Sequence, residues 1–427
     1  MTRIDLSLED ARVRDVADPL RAYRAAFYTS DENLIYLDGN SLGKLPLETS
    51  KRVNQQMETA WGSRLIRSWN DSWIDLPSHL AGKLAQLLGA SANEVLICDA
   101  TSLNLYKLAH AAMQFQTPRR EIVTDVLNFP SDLYILQGVL DHFPESPALK
   151  IAVSDNDIDV SVSRIKELLT PETALLSLSL VTYKSAYLHP LKELTEAAHE
   201  IGAMVLWDLS HAAGAVEIDL KEAQVDMAVG YTYKYLNGGP GAPAFLYVRE
   251  DLQQNLESPI KGWFGDANPF AFDPNYKPAP GIQRFSVGTP AILSMTAMEP
   301  GLDLVLDAGL PAIRDKSLSL QDYLLQLIHE RLDALGFTIG SPLHAHQRGS
   351  HISLRHPDAG RICQALINPP AGRPTVIPDF RAPDSIRLGI APLYVSFEDL
   401  WLAVDRLREI MSNREYLTFS ERPEGVT

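Results

Sequence analysis

The sequence has few cysteines, a shortage of positive charge and no long apolar run. Its 427 residues include two cysteines, Cys98 and Cys363, too few for a disulfide framework, and this usage suits a reducing compartment. Lys and Arg number 38 against 54 Asp and Glu, a net charge of −16 that makes nucleic acid and anionic membranes unexpected partners. No stretch approaches the ~18 apolar residues of a membrane span, and the N-terminal MTRIDLSLEDARVRD lacks the apolar centre of a signal peptide. We therefore expect a cytoplasmic globular protein.

Several common catalytic motifs are also missing. The sequence contains no G-x-G-x-x-G after a strand, no Walker A sequence and no H-E-x-x-H. Gly39–Gly43 matches the G-x-S-x-G pattern of a hydrolase nucleophile elbow. That elbow needs preceding strands and a following helix, whereas Ser41 is close to the N-terminus and is followed by Lys-Leu-Pro. His344, His346 and His351 have no nearby carboxylate or thiol pair, so we predict no metal site.

The sequence does contain short apolar runs that alternate with amphipathic stretches, between about residues 80 and 250. The runs are EVLICDA, REIVTDV, TALLSLSL, AMVLWD and VDMAVGY. Runs of this length between helical patterns predict a doubly wound α/β domain, built on a parallel sheet that is covered on both faces. In such sheets a ligand binds beyond the carboxyl ends of the strands, so the polar residues after each run are candidates for a site.

The rest of the chain predicts a second, smaller domain. After an irregular stretch rich in Gly, Pro and aromatic residues near 255–290, the pattern indicates two helices, strands and a closing helix. We expect residues 61–300 to form the large domain and 301–427 a small α+β domain. The N-terminal segment 1–60 is expected to contribute to the small domain.

Two motifs at the ends of apolar runs carry the chemistry. Asp208 ends AMVLWD, His211 follows within WDLSH, and Lys234 follows the next run within YTYKYLNGGPG. Burial lowers the pKa of a lysine and leaves a nucleophilic amine, although a lysine here could instead extend past the sheet edge to solvent. Together the two residues suit pyridoxal phosphate: the amine forms an imine, and the acid stabilises the protonated pyridine nitrogen. Thr101 and Ser102, at a predicted helix start, could bind its phosphate or simply cap the helix.

On these motifs and others the chain resembles kynureninases of the bacterial type, which are fold-type I pyridoxal phosphate enzymes. The resemblance runs nearly end to end through YLDGNSLG, LIRSWN, NFPSDLY, WDLSHAAGAV, YKYLNGGPG, GWFG, VGTP, RGSHISL and IRLGIAPLY. WDLSHAAGAV and YKYLNGGPG are common in type to transaminase-like enzymes, whereas NFPSDLY and GWFG are much more specific. The resemblance implies a fold-type I large domain, pyridoxal 5′-phosphate as cofactor and a homodimer with shared active sites.

The resemblance also implies roles for individual residues. Lys234 is expected to hold the cofactor as a Schiff base, Asp208 to face its pyridine nitrogen with support from His211, and Tyr233 to assist proton transfer. The other cofactor-binding residues implied are Thr101, Ser102, Phe129 as a stacking ring, Ser131, Asp132, Ser179, Tyr233, Trp263 and Thr289, the last reaching in from a second subunit. The substrate-binding residues implied are Arg387 on the carboxylate, Trp69 on the aromatic ring, Asn40 and Gly288.

The activity implied is hydrolysis of the Cβ–Cγ bond of L-kynurenine to anthranilate and L-alanine, in the tryptophan catabolism that can also lead to NAD biosynthesis. Three alternatives stay open. Another fold-type I enzyme, such as a transaminase or desulfurase, would share Asp208 and Lys234. A kynureninase homologue could act on 3-hydroxykynurenine or another substituted kynurenine. A dimeric binding protein would hold the cofactor without turnover.

Two features bear on the substrate. Where similar kynureninases commonly have His-Val-Asn-Tyr-Lys-Thr-Gly, residues 180–186 are LVTYKSA, a difference that concerns substrate detail or rate. Family members that prefer 3-hydroxykynurenine carry Ser-Asn where this chain has Gly288-Thr289. Gly288 offers no partner to a ring hydroxyl and Trp69 is bulky, so we expect unsubstituted kynurenine to be favoured.

Overall fold

The computed structural model describes residues 6–143 and 147–420. The strands in these residues are β1 (Leu34–Tyr36), β2 (Val95–Ile97), β3 (Glu121–Asp125), β4 (Ala148–Ala152), β5 (Thr173–Ser179), β6 (Met204–Asp208), β7 (Met227–Tyr231), β8 (Ala244–Val248), β9 (Thr338–Ile339), β10 (His351–Arg355), β11 (Thr375–Ile377), β12 (Asp379–Arg381) and β13 (Ser385–Gly389). The α-helices are α1 (Leu8–Ala17), α2 (Leu47–Gln55), α3 (Leu76–Leu87), α4 (Thr101–Phe115), α5 (Pro130–Leu140), α6 (Val162–Leu168), α7 (Leu191–Glu200), α8 (Ile292–Ala308), α9 (Leu310–Arg331), α10 (Ala359–Ile367) and α11 (Phe397–Ser412). Within these ranges no helix combines the length and the apolar character that crossing a bilayer requires.

A seven-stranded sheet forms the centre of the large domain, in the order β2-β8-β7-β6-β5-β3-β4. The five strands from β7 to β4 are parallel, whereas β8 is antiparallel to both of its neighbours. Residues 232–243, which join β7 to β8, contain no crossover helix, and without one a strand returns antiparallel. The predicted parallel sheet is therefore interrupted by one strand that the sequence pattern did not distinguish.

Helices cover both faces of this sheet. In β6, Leu206 packs in a core with Leu108 of α4 and Leu136 of α5. The next residue, Trp207, packs in a separate core with helices that include α3 and α7. Adjacent residues of a strand point to opposite faces, so both must be apolar when both faces are covered, and this explains the continuous apolar runs of the sequence.

The small domain contains an antiparallel sheet in the order β12-β13-β10-β9. It receives part of the N-terminal segment, because β1 pairs in parallel with β11 from Leu34 opposite Thr375 to Tyr36 opposite Ile377. Helix α1 also packs against α11, where Asp15 accepts hydrogen bonds from the amides of Phe397 and Glu398. These contacts support the expected contribution of residues 1–60, while the three domain limits stay predictions.

Candidate active site

Side chains from several elements meet at the carboxyl ends of the central strands. Ser179, the last residue of β5, is in register with Asp208, the last residue of β6. Lys234 lies in the loop that follows β7. Helices α4 and α5 begin at Thr101 and Pro130, after the neighbouring strands β2 and β3. The sheet therefore brings the acid, the lysine and two helix starts to one edge, as parallel strands with short strand-to-helix turns require.

Lys234 is buried and paired with a histidine. Its Nζ lies 2.9 Å from His211 Nε2, and both residues are less than one-tenth exposed. Burial lowers the pKa of Lys234 to about 8, an effect that the nearby Asp208 carboxylate opposes. Burial and the Lys234 charge lower the pKa of His211 well below its usual range, so the imidazole is neutral. Lys234 does not extend to solvent, and its lowered pKa favours the uncharged amine, which is the nucleophilic form.

Asp208 shares its surroundings with a second carboxyl group. Its Oδ1 accepts a hydrogen bond of 2.6 Å from the amide of Ser210. Burial and the Asp208 charge raise the pKa of Asp132, which lies within hydrogen-bonding reach, well above its usual range. Asp132 Oδ2 and His211 Nδ1 are buried and have no hydrogen-bond partner among the described residues. Buried polar atoms are seldom left unpaired, so this cluster fits a polar group such as a protonated ring nitrogen.

The start of α4 fits an anion. Its N-cap residue, Ala100, has no side chain that could accept from the free N–H groups of the first turn. Thr101 is buried and its Oγ1 has no hydrogen-bond partner in the part of the chain that the structure describes. Ser102 Oγ lies 3.1 Å from Ser131 Oγ at the start of α5, so the two helix starts are adjacent. Unpaired N–H and hydroxyl donors at a helix start suit a phosphate group better than a plain cap.

Phe129 and Ser179 are held by a residue to which the sequence analysis assigned no role, Asn128. Its buried Oδ1 accepts from Ser179 Oγ (2.7 Å) and from the amide of Phe129 (2.9 Å), while its Nδ2 donates to Thr124 Oγ1 (3.1 Å). The Phe129 ring is 38% exposed and meets Tyr183 edge-on at 5.2 Å. Phe129 therefore presents a free face at the site. Asn128 is the first residue of the NFPSDLY motif, so the sequence could have suggested a role for it. Its hydrogen bonds to β3 and β5, however, depend on contacts that the sequence does not reveal.

The G-x-S-x-G pattern of Gly39–Gly43 is explained by packing. The amide of Gly43 donates to the carbonyl of Tyr233 (2.8 Å), and a Cβ at Gly43 would overlap the carbonyl oxygen of Lys234. Ser41 Oγ accepts a hydrogen bond of 2.9 Å from Arg387 Nη2, whereas a nucleophilic serine would donate its proton to a histidine. The motif thus places the N-terminal segment against the Lys234 loop, and its serine contacts Arg387 and Asp38.

Two of the predicted substrate-binding residues lie on this same side. Arg387 in β13 is 1% exposed; its guanidinium forms an ion pair with Asp379 and donates to the carbonyl of Tyr183 (2.6 Å) as well as to Ser41. Asn40 is fully buried, and its amide oxygen and nitrogen have no hydrogen-bond partner among the residues described. The substrate roles of both stay predictions, and Ser41 and Asp379 are added as the residues that orient the guanidinium.

Phe264 joins two of the predicted aromatic residues, Trp69 and Trp263. Trp69 contacts Phe264 at 6.3 Å, and Phe264 in turn contacts Trp263 at 4.5 Å, measured between ring centroids. Gly288 and Thr289 are exposed, and within the described protomer Thr289 has no hydrogen bond to Lys234 or Asp208. The cofactor and substrate roles of Trp263, Gly288 and Thr289, and the contribution of Thr289 to a second subunit, stay predictions.

Tyr233 and the three histidines complete the set of predicted residues. The Tyr233 ring contacts Tyr231 at 4.2 Å, and burial raises its pKa. His344 and His346 stack on each other at 5.7 Å, whereas His351 lies in β10 beside His211, with ring centroids 5.9 Å apart. The three histidines therefore do not converge on one point.

Comparisons with known proteins agree on the family and the fold. Residues 313–407 match the family described as Kynureninase C-terminal domain. A curated protein named Kynureninase from Pseudomonas fluorescens is 40% identical over 95% of this chain and 96% of its own length, and one from Burkholderia pseudomallei is 41% identical over 96% of each.

Solved structures are similar at lower identity. An apo cysteine desulfurase from Thermococcus onnurineus superposes with a TM-score of 0.76 at 18% identity, over 97% of this chain and all of that one. A C-DES mutant with glycine covalently linked to its pyridoxal phosphate gives a TM-score of 0.74, also at 18% identity, over 88% of this chain and 97% of that one. These likenesses confirm the predicted fold class, that of fold-type I pyridoxal phosphate enzymes.

Proposed function

This chain belongs to the kynureninase family, and we propose that the site around Lys234 hydrolyses the Cβ–Cγ bond of L-kynurenine to give anthranilate and L-alanine. The cofactor is pyridoxal 5′-phosphate. The observation that carries the proposal is the buried pair of Lys234 and Asp208 at adjacent strand ends, in a chain about 40% identical to kynureninases over nearly its full length. The likeness to cysteine desulfurases, at 18% identity, concerns the fold alone.

The residues present fit the cofactor. Asp208 and Asp132 would face its ring nitrogen, the Phe129 ring would stack on it, and Thr101 with Ser102 would bind its phosphate. Trp263 and Thr289 are proposed as further phosphate ligands, and Ser131, Ser179 and His211 as neighbours. When bound, pyridoxal phosphate withdraws electrons from the substrate and so makes its α and β positions reactive.

Lys234 and Tyr233 are proposed to move protons in the reaction. The Lys234 amine, whose pKa burial lowers to about 8, would be the base that accepts the α proton of the substrate. His211, neutral and 2.9 Å away, accepts or donates a hydrogen bond without adding charge beside that amine. Asp208 remains hydrogen-bonded to the amide of Ser210, which fixes the orientation of the acid. Arg387 would bind the substrate carboxylate and Trp69 would contact its aromatic ring.

The reaction class can be tested with a substrate panel. Purified protein loaded with pyridoxal phosphate should release fluorescent anthranilate from L-kynurenine, and should neither transfer the amino group to a keto acid nor release sulfur from cysteine. Amino-group transfer or sulfur release at a higher rate would assign the chain to another fold-type I activity. A cofactor spectrum without turnover of any substrate would indicate a binding protein.

A homodimer with shared sites, in the cytoplasm, is part of the same proposal. Large apolar side chains are exposed on the protomer at Trp61 (57%), Ile66 (76%), Phe270 (59%) and Phe272 (76%). Contiguous exposed apolar groups typically mark an interaction surface, and Phe270 and Phe272 both contact the ring of Trp263. We propose a second copy of this chain as the partner, with Thr289 crossing the interface to bind the phosphate in the neighbouring site.

Mixing two inactive variants tests this arrangement. A Lys234→Ala subunit lacks the amine of its own site, and a Thr289→Ala subunit fails to complete the site of its neighbour. In a random mixture about a quarter of the sites combine an intact Lys234 with an intact Thr289 from the partner. We expect activity to reappear after the two variants are dissociated and reassembled together. Absence of recovery, or a fully active monomer in sedimentation, would contradict shared sites.

Substrate preference provides a second prediction. A Cβ at Gly288 would meet no atom within 4 Å, and a glycine has no side-chain group that could pair with a ring hydroxyl. Burying an unpaired hydroxyl costs about 1–3 kcal/mol, and we expect kcat/KM to favour L-kynurenine over 3-hydroxy-L-kynurenine by roughly tenfold or more. The double variant Gly288→Ser, Thr289→Asn should reduce that ratio. A wild-type ratio that favours the hydroxylated substrate would contradict the argument.

A further inference from the structure

Helix α4 contains a fully buried lysine, Lys107, of which the proposed reaction makes no use. The side chain of Lys107 has no exposed surface, and its Nζ lies 2.8 Å from Asp99 Oδ2 and 2.8 Å from the carbonyl oxygen of Phe285. The thiol of Cys98 is 3.6 Å from the same nitrogen. A buried ammonium is stable only when its donors are paired, so Lys107 constrains the positions of each of these partners.

The first partner belongs to the turn that carries the proposed phosphate ligands. Asp99 directly precedes Ala100 and Thr101, and its backbone φ is +52°, a left-handed conformation that is unfavourable for a residue with a side chain. Its carbonyl accepts a hydrogen bond of 2.9 Å from the amide of Ala244 in β8. The Lys107 ion pair therefore helps to hold Asp99 in the strained conformation that sets the position and direction of the first turn of α4.

The second partner belongs to the segment that leads to Gly288 and Thr289. Phe285 is fully buried, and beyond it the backbone packs closely on the Trp263 loop, because a Cβ at Gly262 would overlap the backbone of Val287. One ammonium group thus joins the turn before α4 to the segment that presents the exposed Thr289.

We propose that Lys107 is a positioning residue for the cofactor phosphate, one that fixes the turn Asp99–Ser102 against the segment that begins at Phe285. The inference rests on the proposed function, because it takes Thr101 and Ser102 as phosphate ligands. Lys107 acts through Asp99 and Phe285 and does not itself contact the cofactor. Its loss should weaken the binding of the phosphate group and leave the Lys234 end of the site intact.

The test compares two aldehydes that differ only in the phosphate, pyridoxal 5′-phosphate and pyridoxal. Imine formation by each with the apo-protein is titrated by absorbance, for wild type and for Lys107→Met, which keeps the chain length and removes the charge. We expect Lys107→Met to weaken pyridoxal 5′-phosphate binding by roughly 10- to 100-fold, by analogy with the loss of metal affinity when the outer partner of a metal ligand is removed. Pyridoxal binding should be unchanged.

Lys316→Met is the matched control. Lys316 is also a buried lysine held by a carboxylate and a carbonyl, Asp18 and Pro392, but it lies in α9, away from the start of α4. It should not change the ratio of the two affinities. If Lys107→Met does not fold, Asp99→Asn removes the same ion pair with little change in shape. It should also weaken the binding of pyridoxal 5′-phosphate and not that of pyridoxal, but by a smaller factor.

Different results would contradict the role of Lys107 and the proposed phosphate site. Equal weakening of both aldehydes, or no weakening of either, would overturn the role of Lys107 while leaving the proposed function in place. Failure of the wild-type protein to bind pyridoxal 5′-phosphate more tightly than pyridoxal would instead contradict the proposed phosphate site.

Discussion

Replacing Lys234 by alanine should abolish both the covalent attachment of the cofactor and the reaction. The wild-type imine should be yellow and should become a stable linkage on reduction with borohydride, and peptide mapping should place that linkage on Lys234. In Lys234→Ala the linkage is lost because no amine remains at the site. We expect kcat to fall by roughly 10³-fold or more, since general acid–base catalysis alone contributes about 10²- to 10⁴-fold.

Lys316→Met serves as a control for this prediction too, because Lys316 is buried and its amine pairs with Asp18 and the carbonyl of Pro392 rather than with His211 or Asp208. It should retain the reducible imine and the activity. Borohydride labelling of a different lysine in the wild-type protein would show that Lys234 has been assigned the wrong role.

Replacing Asp208 by asparagine should stop the chemistry while leaving the cofactor bound. The carboxylate favours the protonated form of the ring nitrogen, and the neutral amide removes that effect. Loss of a preorganised electrostatic group typically lowers kcat by about 10²- to 10³-fold. The readout is exchange of the substrate α hydrogen with deuterium in D₂O, which reports proton removal apart from bond cleavage.

A matched control for Asp208→Asn is available in the same pair of strands. Asp226 is also buried, but it precedes β7 at the amino end of the sheet, where it contacts His199 (2.8 Å) and Arg249 (2.9 Å). Asp226→Asn should lower thermal stability without slowing exchange in the folded protein. Wild-type exchange in Asp208→Asn would remove the acid from the mechanism.

The large domain could be predicted from the sequence because its strands are buried on both faces. The run that contains Leu206 and Trp207 is apolar at every position before Asp208, and polar residues mark the strand ends. The direction of β8 could not be predicted, since its residues are as buried as those of β6 and direction depends on the connection that precedes it. The pairing of β1 with β11 joins residues more than 300 positions apart and has no local signal.

Some features of the site could likewise be predicted from the sequence, and others could not. The positions of Asp208 and Lys234 follow from the strand pattern, and the burial of Lys234 decides between a nucleophile and a solvent-exposed lysine. The pairing of Asp132 with Asp208 depends on the distance between α5 and β6, which the sequence does not encode locally. The burial of Lys107 could not be predicted either. A single lysine in a helical pattern indicates a solvated position, whereas the amine of Lys107 lies between two segments that are distant in sequence.

The most direct test of the account measures both products of one reaction. Protein loaded with pyridoxal 5′-phosphate is incubated with L-kynurenine in the absence of any keto acid, and anthranilate and L-alanine are quantified together with the remaining substrate. The account predicts equal amounts of the two products, matching the kynurenine consumed, and neither product from Lys234→Ala. Consumption of kynurenine without anthranilate, or anthranilate without an equal amount of alanine, would contradict hydrolysis of the Cβ–Cγ bond at this site.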